Sequence, residues 1–176
     1  MEFLTGVLQK ETMEISDLVR PGLEGSEVKV NGAIHTIRDM GPIAFVILRK
    51  REGLLQCVYE PGAADFSLKD LKEADTIEVS GTLALSEKAP SGIEVRMKSV
   101  RILSEPVEAM PIPVSKWKMN VSLETNLDLR PISLRNIRER AKFRIQEGIV
   151  RGFRDFLTAQ GFTEIHTPKI LSLIHI

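Results

Sequence analysis

Residues 28–60, VKVNGAIHTIRDMGPIAFVILRKREGLLQCVYE, restrict the fold more than any other part of the chain. They hold three short apolar runs rich in β-branched residues. Val28, Val30, Ile34 and Ile37 mark a long first strand, Ile43 to Leu48 a second, and Leu54 to Tyr59 a third. Asp39-Met40-Gly41-Pro42 separates the first from the second, and Lys50-Arg51-Glu52-Gly53 makes a hairpin turn before the third. Polar residues that a β core does not need stand among them: Asn31, His35, Arg38 and Gln56, beside the aromatic Phe45. A curved meander with an aromatic, an amide and bases on one face suits unpaired nucleotides. The aromatic stacks on a base, the amide reads a base edge, and the cations meet phosphate.

The rest of the first hundred residues extends this pattern. Met13 to Val19 predicts a short helical turn on the outside of the barrel, stopped by Pro21 and Gly22. Pro61 to Ala74 reads as a turn followed by a helix, with Ser67 as its N-cap. Asp75 to Leu85 is a fourth strand, bulged or bent at Gly81, and Ile93 to Leu103 is a fifth. Strand, strand, strand, helix, strand, strand is the order of the all-β, five-stranded OB barrel.

Composition bounds the chemistry. The formal net charge is zero, but residues 61–95 carry seven acids and three bases, while residues 96–154 carry thirteen bases and six acids. Local fields of this kind, not the total, steer a polyanion. The single cysteine, Cys57, lies in a strand and reads as a small buried hydrophobe, so no disulfide framework forms within the chain. Three scattered histidines suggest no metal site. No apolar run reaches the roughly 20 residues of a membrane span, and no signal peptide opens the chain. These features predict a cytoplasmic protein with no membrane partner.

From Ser104 to Pro131, four prolines among polar residues read as an extended connector. A long helix then begins at Asn136. Ile137, Ala141, Ile145, Ile149, Gly152 and Phe156 form one stripe, and Phe143, Val150, Phe153 and Leu157 an adjacent one. That apolar face is wider than one sheet requires. Gly161 is the expected stop, and residues 162–170 read as a strand meeting Pro168. The domain expectation is an OB domain at 1–104, a hinge at 105–135 and the start of a second domain at 136–176.

Taken together, VNGAIHTIRDMG…IAFVILRKREGLLQ and LDLRPISLRNIRERAKFRIQEGIVRGFRDFLTAQGFTEIHTPKI resemble the N-terminal part of the archaeal and eukaryotic type of aspartyl-tRNA synthetase. The resemblance covers residues 13–170. It makes the second segment motif 1 of a class II α+β catalytic domain. It implies that Phe45 stacks on a central anticodon base and that Gln56 reads a base edge, with Arg38 and Asp39 beside the same bases. It implies a homodimer interface at Ile149, Phe153, Thr167 and Pro168. His35 and Pro90 stand where relatives restricted to the aspartate tRNA tend to have Trp and Lys. This pairing resembles the kind that accepts both aspartate and asparagine tRNAs.

The resemblance also implies an ATP- and Mg²⁺-dependent ligase as the full-length product, with no cofactor and no catalytic residue in this stretch. Nothing in the chain resembles motif 2 or motif 3, so it reads as an inactive N-terminal fragment. Residues 171–176 resemble translated adapter sequence. On spacing alone, Phe45 also fits ordinary strand packing, His35 a solvated strand histidine, and the bases of residues 130–154 the wet side of a helix. Three alternatives stay open: an asparaginyl-tRNA synthetase, its lysyl relative, and a free-standing OB-fold module that binds single-stranded nucleic acid. The long helix counts against the last, which has no need of it.

Overall fold

The computed structural model describes residues 11–166. Five strands form in the expected places: β1 (Glu27–Asp39), β2 (Ala44–Arg49), β3 (Leu54–Tyr59), β4 (Thr76–Leu85) and β5 (Ile93–Ser104). They close into a barrel in the order β1-β2-β3-β5-β4. All pairs are antiparallel except β3 with β5. Closure removes the exposed sheet edges that an open meander would leave.

Alternation along the strands fills the interior. Val28, Val30, Ile34, Val46, Leu48, Leu55, Cys57, Ile77, Val79, Leu83, Val95 and Met97 form one buried cluster. A short helix, α1 (Ile15–Leu18), precedes β1. It packs on the barrel through Leu18, which joins the core cluster. Cys57 is fully buried, and burial pushes its thiol up to about 12, so it is an inert core residue.

The strand pairing has three register shifts among the described residues, and two of them shape the outer surface. The β1–β2 register shifts between Ile34 and Thr36, so His35 is an extra residue. Ile34 and Ile37 both reach the interior, which leaves His35 and Thr36 side by side on the outside. The second lies opposite Gly81, where the sequence suggests a bulge or bend: Ser80 pairs with Ser99 but Gly81 with Met97, so Lys98 on β5 is the extra residue. There the backbone of β5 comes so close that a Cβ at Gly81 would sit 2.1 Å from the carbonyl oxygen of Arg96.

The helix expected between Pro61 and Ala74 is reduced to one 3₁₀ turn, Leu68–Asp70. Its residues are held by other partners. Tyr59 packs on Phe66 at 5.2 Å and its hydroxyl donates to the Phe66 carbonyl; the Asp65 N–H donates to the Lys98 carbonyl. Ser67 caps Lys69, and the Asp75 carboxylate accepts from the Lys72 N–H at 2.7 Å. These side-chain bonds offer the backbone an alternative to a helical ladder.

The chain divides into two compact units, residues 1–119 and 120–176. Residues after β5 remain with the first unit, where Ile112 and Val114 are buried. The second unit is helical: α2 (Leu123–Asp128), α3 (Arg130–Ser133) and α4 (Ile137–Ala159). The first two occupy sequence that reads as extended connector. Ser122 caps α2, and Pro131 sits in the first turn of α3, where its missing N–H costs nothing. Asn126 ties them together, accepting from Arg130 and donating to Glu139. Asn136 caps α4 by accepting from the N–H groups of Arg138 and Glu139. Gly161, at φ +85°, ends α4, with Phe162 N–H donating to the Leu157 carbonyl. Residues 162–166 form no strand, since the second unit offers no strand to pair with among the described residues. Thr167 and Pro168 lie outside the described residues.

Candidate nucleic-acid interface

The outer face over β1, β2 and β3 can be built from register alone, because directly paired residues share a face. One row runs Thr36–Ile47–Gln56–Glu94 across β1, β2, β3 and β5, and the next runs Arg38–Phe45–Val58–Arg96. The bulge adds His35 beside Thr36 in the first row.

A hollow of about 140 Å³ opens on the first row. His35, Thr36, Arg38, Ile47, Leu54 and Gln56 line it from the strands; Lys88 and Pro90 line it from the β4–β5 loop, and Ser115 from the segment after β5. Ligand pockets for whole drug-sized molecules run to about 300–1,000 Å³, so this space suits a single planar ring. Four of the residues expected at a binding face, His35, Arg38, Gln56 and Pro90, therefore meet in one place. Phe45 does not line the hollow. It stands one outward position along β2 from Ile47, directly opposite Arg38, and is half-buried. The aromatic is thus at the rim, with a face left to solvent.

His35 is the least ordinary member. Its side chain is only 6% exposed, and Nδ1 has no hydrogen-bond partner among the described residues. Burial first, then the nearby Arg49 and Arg38 cations, pull the imidazole pKa below its usual value, against an opposing pull from Glu73. The ring is therefore neutral at physiological pH, with one nitrogen able to donate and one to accept. A buried polar atom without a partner costs free energy, which a ligand hydrogen bond would recover.

Gln56 is oriented from the side: its amide nitrogen donates to Glu94 at 3.1 Å. Asp39, exposed at the end of β1, accepts from the Gly41 N–H at 2.9 Å and so shapes the turn into β2. Asn31 goes elsewhere. Its backbone carbonyl accepts from Lys50, whose buried ammonium also pairs with Glu14 at 3.4 Å. Sequence reasoning missed Lys88, Thr36 and Ser115. The three-residue step from Ile34 to Ile37 was a legible sign of the bulge that exposes Thr36. Lys88 and Ser115 reach the hollow through loops far away in sequence, which no periodicity reports.

The groups gathered here can stack on, hydrogen-bond to and neutralise an unpaired nucleotide. Among the described residues no group of three or more His, Cys, Asp or Glu is arranged to hold a metal ion, and no helix is long and apolar enough to cross a membrane. In the second unit, α4 leaves Ile145, Ile149, Phe153 and Phe156 more than half exposed.

Comparison with known proteins agrees with this division. Residues 28–103 match the family described as OB-fold nucleic acid binding domain, and residues 122–174 match tRNA synthetases class II (D, K and N). The chain is 40% identical to an aspartate–tRNA(Asp/Asn) ligase of Deinococcus radiodurans over 86% of its own length and 34% of that relative. It is 37% identical to the enzyme of the same name from Archaeoglobus fulgidus, over 88% of the chain and 36% of the relative. Among solved structures, asparaginyl-tRNA synthetase from Pyrococcus horikoshii superposes with a TM-score of 0.74 at 25% identity, over 89% of this chain and 37% of that one. The chain spans about a third of the length of the curated relatives it matches.

Proposed function

We propose, for a chain that belongs to the class II tRNA synthetases of the D, K and N group, that its barrel reads the anticodon loop of tRNA on behalf of an aspartate–tRNA ligase. The observation that carries this reading is the hollow itself. A neutral, buried imidazole with an unpartnered nitrogen, an oriented amide and two cations converge on a space the size of one base, with Phe45 at its rim. In this reading Phe45 stacks on one anticodon base, Gln56 and His35 address base edges, and Arg38 and Lys88 meet phosphate.

The whole enzyme would join aspartate to ATP, releasing pyrophosphate, and pass the aspartyl group from the adenylate to the terminal ribose of the tRNA. ATP and Mg²⁺ serve that step; none of the described residues is assigned to it. The relatives at 37–40% identity are named for aspartate, which favours aspartate. We also propose that the tRNA choice is relaxed, as in the relatives named for both Asp and Asn tRNAs. His35 and Pro90 support this. Lys88 in the same hollow means that relaxation does not come from loss of every cation on that loop. The exposed face of α4, with Ile149 and Phe153 at its centre, is proposed to be covered by a second copy in a homodimer. A cytoplasmic location belongs to the same proposal.

The test is binding of the full chain to an anticodon stem-loop RNA. Saturable binding that depends on the loop sequence and weakens with Phe45→Ala is expected. Binding of equal strength to stem-loops with unrelated loops would overturn the assignment.

A further inference from the structure

The second row on the outer face, Arg38–Phe45–Val58–Arg96, carries a cation at each end. Arg38 pairs directly with Phe45 across β1 and β2; Val58 follows on β3; Arg96 follows on β5. Strands in a sheet lie about 4.8 Å apart, so the two arginines stand about 14 Å apart along the surface, with the aromatic between them. Both are exposed, and neither guanidinium makes a hydrogen bond or ion pair among the described residues. Their neighbours differ. Lys98 pairs with Glu27, Arg101 with Glu78 at 3.4 Å, and Lys29 with Glu11 at 3.0 Å. The nearest acid on the Arg96 face, Glu94, is held by the Gln56 amide.

Arg96 is also placed with unusual firmness. Its carbonyl presses against Gly81, where a Cβ would lie 2.1 Å away, and Val95 and Met97 on either side are buried in the core. The backbone beneath an otherwise free guanidinium is therefore fixed on three sides. An unpaired, exposed cation on a rigid strand, in register with an aromatic platform, is arranged for a polyanion that crosses the strands.

We propose that Arg96 is a further RNA contact: with Arg38 it forms a two-cation clamp that holds the phosphates on either side of the base stacked on Phe45. The inference rests on the reading of the barrel as an RNA-binding face, and it adds a cation of β5 to a surface whose other proposed contacts come from β1, β2, β3 and the loops over them. It also gives the RNA a direction of travel, across the strands from Arg38 towards Arg96.

The test measures the affinity of the full chain for an anticodon stem-loop RNA as a function of salt. Each phosphate contact on a single strand contributes about 0.7 to the slope of log K against log salt. Arg96→Gln should shallow that slope by about 0.7, Arg96→Lys should restore it, and Arg96→Glu should weaken binding further. Arg101→Gln, on the same strand but paired with Glu78, should leave it unchanged. An unchanged slope in Arg96→Gln, with binding that still depends on Phe45, overturns the clamp and leaves the RNA-binding reading standing. An equal loss in Arg101→Gln also overturns it, by showing a diffuse charge effect. If the unaltered chain does not bind the RNA, both fall.

Discussion

Replacing Gly81 with alanine tests the tight apposition of β4 and β5 more severely than any core truncation. Gly81 does not have positive φ, so the demand there is for space alone. An added Cβ would lie 2.1 Å from the Arg96 carbonyl oxygen, 2.9 Å from its carbon and 3.0 Å from Val95 Cγ1. Ordinary carbon–oxygen contact begins at about 3.3 Å, so the strands must part by about 1 Å. A shift of that size takes ladder bonds out of the range of about 2.7–3.2 Å. Losing two, at about 0.5–1.5 kcal/mol each, and adding about 1–3 kcal/mol of overpacking strain gives about 2–6 kcal/mol of destabilisation. Two other glycines supply internal controls. At Gly32 the closest atoms are 3.2 Å away, the Arg49 carbonyl oxygen and Leu48 Cβ, so alanine needs a shift of tenths of an ångström and costs less than about 1.5 kcal/mol. At Gly148, on α4, nothing lies within 4 Å, and alanine should strengthen the helix by about 1 kcal/mol. Hydrogen exchange read by peptide through urea titration separates the two units. The expected order of barrel protection is Gly148→Ala equal to the unaltered chain, then Gly32→Ala, then Gly81→Ala far below. Barrel protection in Gly81→Ala within about 0.5 kcal/mol of the unaltered chain would refute the packing argument.

Other expectations follow from the same structure. Phe45→Ala should weaken binding of an anticodon stem-loop by about 1–3 kcal/mol while leaving the salt slope unchanged, as loss of stacking rather than charge requires; isothermal titration at several salt concentrations reads both. Because the His35 pKa is lowered in the folded chain, the unfolded chain binds the proton more readily. The stability this group contributes is present above its ordinary value of 6.5 and is lost as pH falls through the lowered folded value, so His35→Gln should flatten the acid limb of a stability–pH profile. Limited proteolysis should leave a resistant piece that extends past Ser104 to about Met119, because Ile112 and Val114 are buried within the first unit. Ile149→Asp together with Phe153→Asp should abolish self-association on sedimentation analysis without changing barrel stability.

The barrel was legible in the sequence because its punctuation is local. Asp39 to Pro42 and Lys50 to Gly53 mark turns, and the apolar alternation of β4 and β5 needs no distant partner to be seen. What failed to show depends on contacts distant in sequence. The segment from Pro61 to Ala74 has the composition of a helix, but the Tyr59 ring and the Lys98 carbonyl bind it in another form. Pro106 to Lys116 looks like a linker, and only the folded chain reveals that Ile112 and Val114 are buried. Pro131 reads as a breaker but occupies the first turn of α3, where proline is tolerated. At the candidate site, residues on β1, β2 and β3 could be anticipated from an aromatic and polar groups misplaced for a core. Lys88, Ser115 and Arg96 could not, since each owes its position to a strand or loop brought in by barrel closure.

A map of backbone amide shifts in the full chain, as an anticodon stem-loop RNA is titrated in, tests most directly whether this face of the barrel binds the anticodon. Perturbations centred on His35, Arg38, Phe45, Gln56 and Lys88 and extending to Arg96 are expected, with Asn31 and Glu78 unmoved. Perturbations confined to the Asn31–Glu78 side of the barrel, or to α4 alone, would contradict that assignment.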